Sequence, residues 1–408
     1  MSQPTPKRKA FARHGRLAVQ SRSSAFWGLF LKVAAVVVGA SVAVAGLSIA
    51  DLVGTIQSNG IALLDSNGNA VNAVTAVDLK GPINMLIVGS DTRQGQGGGF
   101  GHENSNLADV IILLHISADR KNAVAISFPR DTMLPFPACP ASGQFPGSSA
   151  ASYQQINASY AYGGPGCTLL VVQQMVGVKI PYLATINFRG VIEMSNAIGG
   201  VEVCVANPII DTYTHLNIPA GMQTLQGRQA LQFLRTRHGV GDGSDLGRIS
   251  NQQVYLTSLV RKVKSQGVLA NPVYLYSLAN AAARNMALSQ SLTSLNVMVG
   301  IASALKGIEL DKITFLQIPT KTGLPAPYSG RVAPIYELAN PIFQKIQNDE
   351  PILVSKNNSG TASTSSPSAS PSSSAKPTSG STPSPTASDL PDTVKATNAS
   401  LKGCSNQK

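Results

Sequence analysis

The sequence predicts a mixed α/β (α+β) fold: a central mixed β-sheet flanked by helices, behind a single N-terminal transmembrane helix. Three observations predict it. Residues 82–90, 109–117 and 122–131 are apolar at most positions, the pattern of strands whose two faces are both covered. Amphipathic helical periodicities follow without strict strand–helix alternation, which favours helices layered on a mixed sheet over a regular βαβ series. Before all of these, an uncharged run from Val33 to Ala50 follows a cluster of basic residues.

That N-terminal pattern accounts for most of the charge. The formal charge is +12, yet Lys7, Arg8, Lys9, Arg13, Arg16, Arg22 and Lys32 all lie in the first fifty residues, with no acid among them. The remainder holds 25 basic against 20 acidic residues. Basicity is therefore local, and nucleic acid is not an expected partner. With 26–31 added and Lys32 snorkelling at the inner face, the apolar run can cross about 30 Å of hydrocarbon. The positive charges before it hold the N-terminus in the cytoplasm. The expectation is a single-pass cell-membrane protein whose main domain is extracytoplasmic. A cleaved signal peptide is the competing reading, because small residues around Ala43 suit a peptidase; it exports the chain equally.

In order, 1–25 is a basic cytoplasmic tail, 26–50 the membrane helix and 51–81 a lead-in with a turn at 65–69. The folded domain spans 82–350. Its three strands are followed by helical patterns at 167–177 and 188–200, each closed by glycine, and at 225–237, 248–267 and 288–307. A late strand is read at 313–319. Residues 351–408 form a Ser/Pro/Thr-rich tail, expected to be disordered because such a composition buries no core. Cys139, Cys167, Cys204 and Cys404 are an even set in an exported chain, which suggests disulfides. Three pairings are open. The expectation is Cys139–Cys167, which brackets one long loop, with Cys204–Cys404.

Chemistry concentrates at strand ends, where open sheets place ligands. Asp91 and Arg93 follow the first strand, Asp109 opens the second, and Arg130 and Asp131 follow the third. A denser cluster lies in "LRTRHGVGDGSDLGR", residues 234–248. Arg235 and Arg237 end one helix, Arg248 opens the next, and Asp242 and Asp245 lie between. Guanidinium forks grip phosphate oxygens in pairs, so several converging with Arg130 suit a diphosphate. Asp91 and Asp109 offer hard oxygens of the kind Mg²⁺ takes alongside substrate phosphates, with Mn²⁺ an alternative. No enzyme nucleophile is then required, because positioning and electrostatics carry phosphoryl transfer. Each pair read alone is also an ordinary cap or ion pair.

The ordered motifs "MLIVGSDTR", "ADVIILLHISADRKNAVAISFPRDTML", "INASYAYGGPGC", "INFRGVIEMSNAIGGVEVCV" and "IPAGMQTLQGRQALQFLRTRHGVGDGSDLGRISNQQVYL" resemble the LytR–CpsA–Psr family over about 82–265. The cysteine placement is similar to the family's actinobacterial branch. The resemblance implies an anchored extracytoplasmic phosphotransferase. Such an enzyme moves a glycopolymer from a polyprenyl diphosphate carrier onto peptidoglycan, forming a phosphodiester, with hydrolysis of the diphosphate as a side activity. It implies metal-linked Asp91 and Asp109. It also implies diphosphate-binding Arg130, Arg235, Arg237, Arg248 and Gln252, with Arg93 beside them, and acids at Asp131 and Asp245 that orient arginines or accept a proton. Gln155, at a substrate-binding position, stands where many members carry lysine, which implies a weaker phosphate contact; Asn196 stands where many carry aspartate and Asn251 where many carry arginine.

A carrier's lipid tail needs an apolar channel, which the runs in 167–200 and 249–263 could line unless they are ordinary core. Two other functions compete. One is a non-catalytic anchored module that binds lipid diphosphates or anionic wall polymers. The other is a transcription regulator, weakened by a cytoplasmic part too short for a helix-turn-helix.

Overall fold

The computed structural model describes residues 22–71, 79–93, 106–241, 245–265, 271–354 and 394–405, with 96, 100, 243, 268 and 390. Two units are present, Met1–Asp51 and Leu52–Lys408. Helix α1 (Arg22–Ser58) is continuous over 37 residues. In the first unit it exposes Trp27, Phe30, Val36, Val44 and Leu47. Among the described residues no helix is long and apolar enough to cross a membrane. Within α1 the side chains at 22–26, 28–29, 41–42 and 45 lie outside them, so the expected span at 26–50 is only partly described.

The second unit is built on a mixed sheet, which among the described residues has eight strands. In chain order these are β1 (Gly60–Ile61), β2 (Ile83–Ser90), β3 (Ala108–Ile116) and β4 (Ala123–Ser127), then β7 (Tyr182–Ile186), β12 (Met286–Ser289), β13 (Ile313–Gln317) and β16 (Ala396–Asn398). A hairpin of β5 (Met133–Phe136) and β6 (Ala151–Gln155) lies between β4 and β7 in the chain. The spatial order is β1-β12-β7-β2-β3-β4-β13-β16. β2 pairs antiparallel with β3 and parallel with β7, while β4 pairs antiparallel with β3 and parallel with β13.

The continuously apolar strands follow from burial on both faces. One face carries Leu86, Val88, Ile111, Leu113, Val124 and Ile126. They pack under α2 (Ser159–Val176) and the C-terminal helix α8 (Tyr336–Gln347). The other face carries Ile112, Leu114 and Ala125 under α5 (Asp245–Ser265) and α7 (Leu295–Gly307). Together these faces remove most of the sheet's apolar side chains from water, the main favourable term in folding. A third cluster lies beneath α4 (Gly227–Arg235), α5 and α6 (Pro272–Asn285), with Ile198, just past α3 (Phe188–Ala197), among its members. It joins the small sheet of β8 (Val201–Val205), β11 (Gly221–Leu225) and β17 (Cys404–Ser405) to the hairpin β9 (Ile209–Asp211) and β10 (Leu216–Ile218). β14 (Thr320–Lys321) and β15 (Ala333–Pro334) form the remaining pair.

Several expectations are corrected. The third strand stops at Ser127, because Pro129 has no amide to donate to the ladder. The helix read from 167 begins at Ser159, with non-helical backbone at Gly163 and Gly164. Gly164 has φ +66°, and the Phe145 ring sits 2.6 Å from where a Cβ would project. Pro165 then restarts the helix with its φ already set. The pattern read as one helix over 288–307 is β12, a 3₁₀ turn and then α7. The lead-in belongs to the domain, since Leu52, Ile56 and Leu63 are buried.

The tail is corrected as well. Residues 355–389 lie outside the described residues, but 394–405 is structured. β16 pairs with β13 at the edge of the main sheet, β17 pairs with β8, and Leu390, Val394 and Ala396 join the first core. Short apolar residues after the Ser/Pro tract supply what the tract cannot. Disulfides join Cys139 to Cys167 and Cys204 to Cys404.

Candidate active site

Asp109 is the hub of the site. It is the second residue of β3, beside the irregularity where β2 and β3 shift register between Gly89 and Ser90. Arg130, in the loop after β4, places Nη1 2.5 Å from Asp109 Oδ1. Arg248, in the first turn of α5, donates from Nη2 to the Asp109 carbonyl at 3.0 Å, and its Nη1 lies 3.9 Å from Oδ1. Burial alone would raise the Asp109 carboxyl. Arg248, Arg130 and, more weakly, Arg237 outweigh it and hold the carboxyl below its ordinary range. Three arginines from separate segments thus act on one strand end. Gln252, one turn after Arg248 on the same face of α5, donates to the Leu234 carbonyl at 3.0 Å and ties α5 to the arginine-bearing end of α4.

Asp131 is a second hub. Gln155 donates to its Oδ1 at 2.6 Å, Arg331 Nη1 lies 2.7 Å from the same oxygen, and Arg130 Nε is 3.7 Å from Oδ2. Asp91 follows β2 directly. Its amide donates to the Leu107 carbonyl, and its Oδ1 accepts the Leu107 amide at 2.8 Å, which zips the two strand ends together. Arg93 lies two residues on, half-buried.

The other two arginines are set by α4 and by a buried acid. Arg235 ends α4 with its guanidinium 4.1 Å over the Phe188 ring. Asp211, 1% exposed at the end of β9, accepts the Thr236 hydroxyl and the amides of Arg237, Tyr213 and Thr214. Burial would raise its carboxyl, but these hydrogen bonds prevail and lower it. A single carboxylate therefore fixes the backbone on which Arg235 and Arg237 are carried. His238 stacks on Tyr213, centroids 4.0 Å apart.

The structure thus brings Asp109, Arg130, Asp131, Gln155 and Arg248 into direct contact, with Arg237 in electrostatic reach and Gln252 lining the same cavity. Arg235 rests on Phe188. Asp245 opens α5, but its side chain lies outside the described residues, as does Asp242. Asn251 is buried at 1% exposure. Asp211 and Arg331 escape sequence reasoning: Asp211 looks like an ordinary turn acid, and Arg331 reaches Asp131 across 200 residues of chain.

A cavity opens beside Asp109, Arg130, Arg248 and Gln252, walled by Ile112 and Ile249. It measures about 10 Å³, room for roughly one water. The apolar run at 169–176 does not line it: Leu169, Val171, Val172 and Val176 are packed core under the opposite face.

The LytR_cpsA_psr family matches residues 52–350. The chain belongs to this family. Among its relatives is the cell wall biosynthesis protein LcpA of Corynebacterium glutamicum, 29% identical over 278 residues, which cover 62% of this chain and 51% of that protein. Another is the polyisoprenyl-teichoic acid–peptidoglycan teichoic acid transferase TagU of Enterococcus faecalis, 28% identical over 192 residues, 47% of this chain and 57% of that protein. The chain spans about half the length of the first curated relatives it matches. The crystal structure of TagV from B. subtilis shares the family fold, with a TM-score of 0.52 at 22% identity over 66% of this chain and 97% of that one.

Proposed function

We infer that this family member is a membrane-anchored, extracytoplasmic phosphotransferase that moves a glycopolymer from a polyprenyl diphosphate carrier onto peptidoglycan. The observation that carries the reading is the meeting of Arg130 and Arg248 on Asp109, with Arg237 acting on the same carboxylate. Family relatives named as polyisoprenyl-teichoic acid–peptidoglycan transferases support it. The anchor is supported by the uncharged run from Val33 to Ala50 behind its basic cluster and by the apolar side chains that α1 exposes.

The acceptor's hydroxyl oxygen bonds to the phosphorus that carries the glycan. The bond from that phosphorus to the bridging oxygen breaks, and polyprenyl monophosphate leaves with the electron pair. Arg130, Arg235, Arg237 and Arg248 bind the diphosphate oxygens and stabilise charge as it builds on the leaving phosphate. Gln252 holds α5 on α4. Asp131, held by Gln155, Arg331 and Arg130, takes the hydroxyl proton. Water in place of the acceptor gives simple hydrolysis.

A metal is part of this reading. Among the described residues no three His, Cys, Asp or Glu side chains group together, so an all-protein cage is not the fit. Asp91 and Asp109, on adjoining strand ends, suit a hard cation that completes its shell with water and substrate phosphates. They would hold Mg²⁺ or Mn²⁺. When bound, the ion would neutralise part of the diphosphate charge. The cavity beside Asp109 is smaller than a prenyl chain, so the tail enters only if α5 moves away from β3.

The test supplies full-length protein with a labelled lipid diphosphate glycan and peptidoglycan. The reading expects polyprenyl monophosphate and labelled peptidoglycan to appear together, and both to be lost in Arg235→Ala. Binding without release of lipid phosphate would instead favour the non-catalytic module.

A further inference from the structure

An arginine bonded to Asp131 and two tyrosines, one of them in the arginine's own turn, are unused by the chemistry above. The Tyr153 ring, in β6, meets Tyr328 edge to face, centroids 4.9 Å apart at 85°. Arg331 follows in the same turn, its amide donating to the Tyr328 carbonyl at 3.0 Å. Its guanidinium is 2.7 Å from Asp131 Oδ1, yet 43% of the side chain stays exposed. Tyr336, 41% exposed at the start of α8, lies within electrostatic reach of Tyr153. Burial first, then the neighbouring Tyr153, push its hydroxyl up. The patch is tied to the loop that carries Arg130. Val332 N–H donates to the Asp131 carbonyl at 3.1 Å, and Met133 N–H donates to the Val332 carbonyl at 2.8 Å.

Its place relative to the cavity beside Asp109 matters. The cavity is walled by Ile249 of α5, the helix that covers one face of the sheet through Leu256 and Val260. The hairpin that carries Tyr153 packs into the other face through Leu134 and Phe136. Arg130 and Asp131 lie between. In an in-line displacement the attacking oxygen stands opposite the leaving oxygen. With the oily leaving group toward α5, the attacking hydroxyl arrives from the side of Asp131.

We propose that Tyr153, Tyr328 and Arg331 form the subsite for a sugar ring of the peptidoglycan acceptor, an assignment that rests on the transferase reading above. Tyrosine rings pack on the apolar face of a pyranose and offer a hydroxyl at their edge. The exposed guanidinium donates to ring hydroxyls or an acetamido carbonyl while its other side holds Asp131. The acceptor oxygen is thereby brought to the carboxylate that takes its proton.

The test uses the full chain with a lipid diphosphate disaccharide as donor and a β-1,4-linked N-acetylglucosamine oligomer as acceptor. Half-saturating concentrations of both are measured in the wild type, Tyr328→Ala, Arg331→Met and Arg331→Lys. The proposal expects the acceptor value to rise about tenfold in Tyr328→Ala and Arg331→Met, beyond any change in the donor value, with Arg331→Lys in between. Saturation-transfer NMR of the oligomer reads the same contact without turnover: its ring protons receive magnetisation from the wild type and less from each folded variant. A shift confined to the donor, or oligomer contacts unchanged in folded variants, overturns the subsite. A wild type that binds the oligomer but releases no lipid phosphate sinks the transferase reading and leaves the sugar contact standing.

Discussion

Arg248 grips Asp109 twice, through the main-chain carbonyl at 3.0 Å and through the carboxylate at 3.9 Å. At 3% exposure it is an arginine whose position is set before any substrate arrives. Such preorganised charge is what transition-state stabilisation requires.

Replacing Arg248 should therefore cost rate more than binding. Arg248→Met is expected to slow release of polyprenyl monophosphate about 10²-fold or more. Arg248→Lys should recover little, because an ammonium cannot span both contacts. Single-turnover assays on variants that keep the wild-type circular dichroism check this, and a near-normal rate in Arg248→Lys would count against it.

The Asp109 carboxyl is held below its ordinary range because its arginines outweigh its burial. A carboxyl with a lowered folded value stabilises the fold above its unfolded value, and that contribution is lost as the pH falls through the folded one. A ¹³C NMR titration should place the Asp109 midpoint below the ordinary carboxylate range in the wild type and raise it in Arg248→Met. An unchanged midpoint in the variant would show that Arg248 is not the cause.

Asp211 organises the backbone between α4 and α5. Asp211→Ala leaves buried donors unmet and should cost about 1–3 kcal/mol of stability. Turnover should fall further than the stability loss explains, since Thr236 and Arg237 lose their anchor. Thermal melts paired with donor-binding and rate measurements separate the two effects. A variant with lowered melting temperature and normal rate would reduce Asp211 to a purely structural acid.

The Cys204–Cys404 bond joins residues 200 apart and clamps the returning C-terminal segment. Arg261 of α5 donates to the carbonyls of Ala399 and Leu401 in that segment. Cys404→Ser should cost about 2–5 kcal/mol and speed hydrogen exchange in β16 and at its β13 partner. Unchanged exchange there would mean that sheet pairing alone holds the strand.

How much of this was legible depended on the range of the signal. β2, β3 and β4 could be read because burial on both faces leaves an unbroken apolar run. The strand-end rule then drew attention to Asp91, Asp109 and Arg130. The arginine cluster was legible because Arg235, Arg237 and Arg248 are close in sequence. β12, the hairpins between 201 and 225, α6 and α8 were not, since four-residue strands and weakly patterned helices are defined by their packing partners. Arg331 and Asp211 were hidden for a related reason. Each matters through a neighbour brought to it by the fold, Asp131 in one case and Thr236 with Arg237 in the other. The 394–405 segment was masked by the Ser/Pro tract before it.

The most direct measurement is a crystal structure of the chain with a lipid diphosphate sugar bound. The account predicts both phosphates within hydrogen-bonding distance of Arg130, Arg235, Arg237 and Arg248, beside Asp91 and Asp109, with the lipid toward α5. Phosphates seated elsewhere, with Arg130 and Arg248 still closed on Asp109, would contradict it.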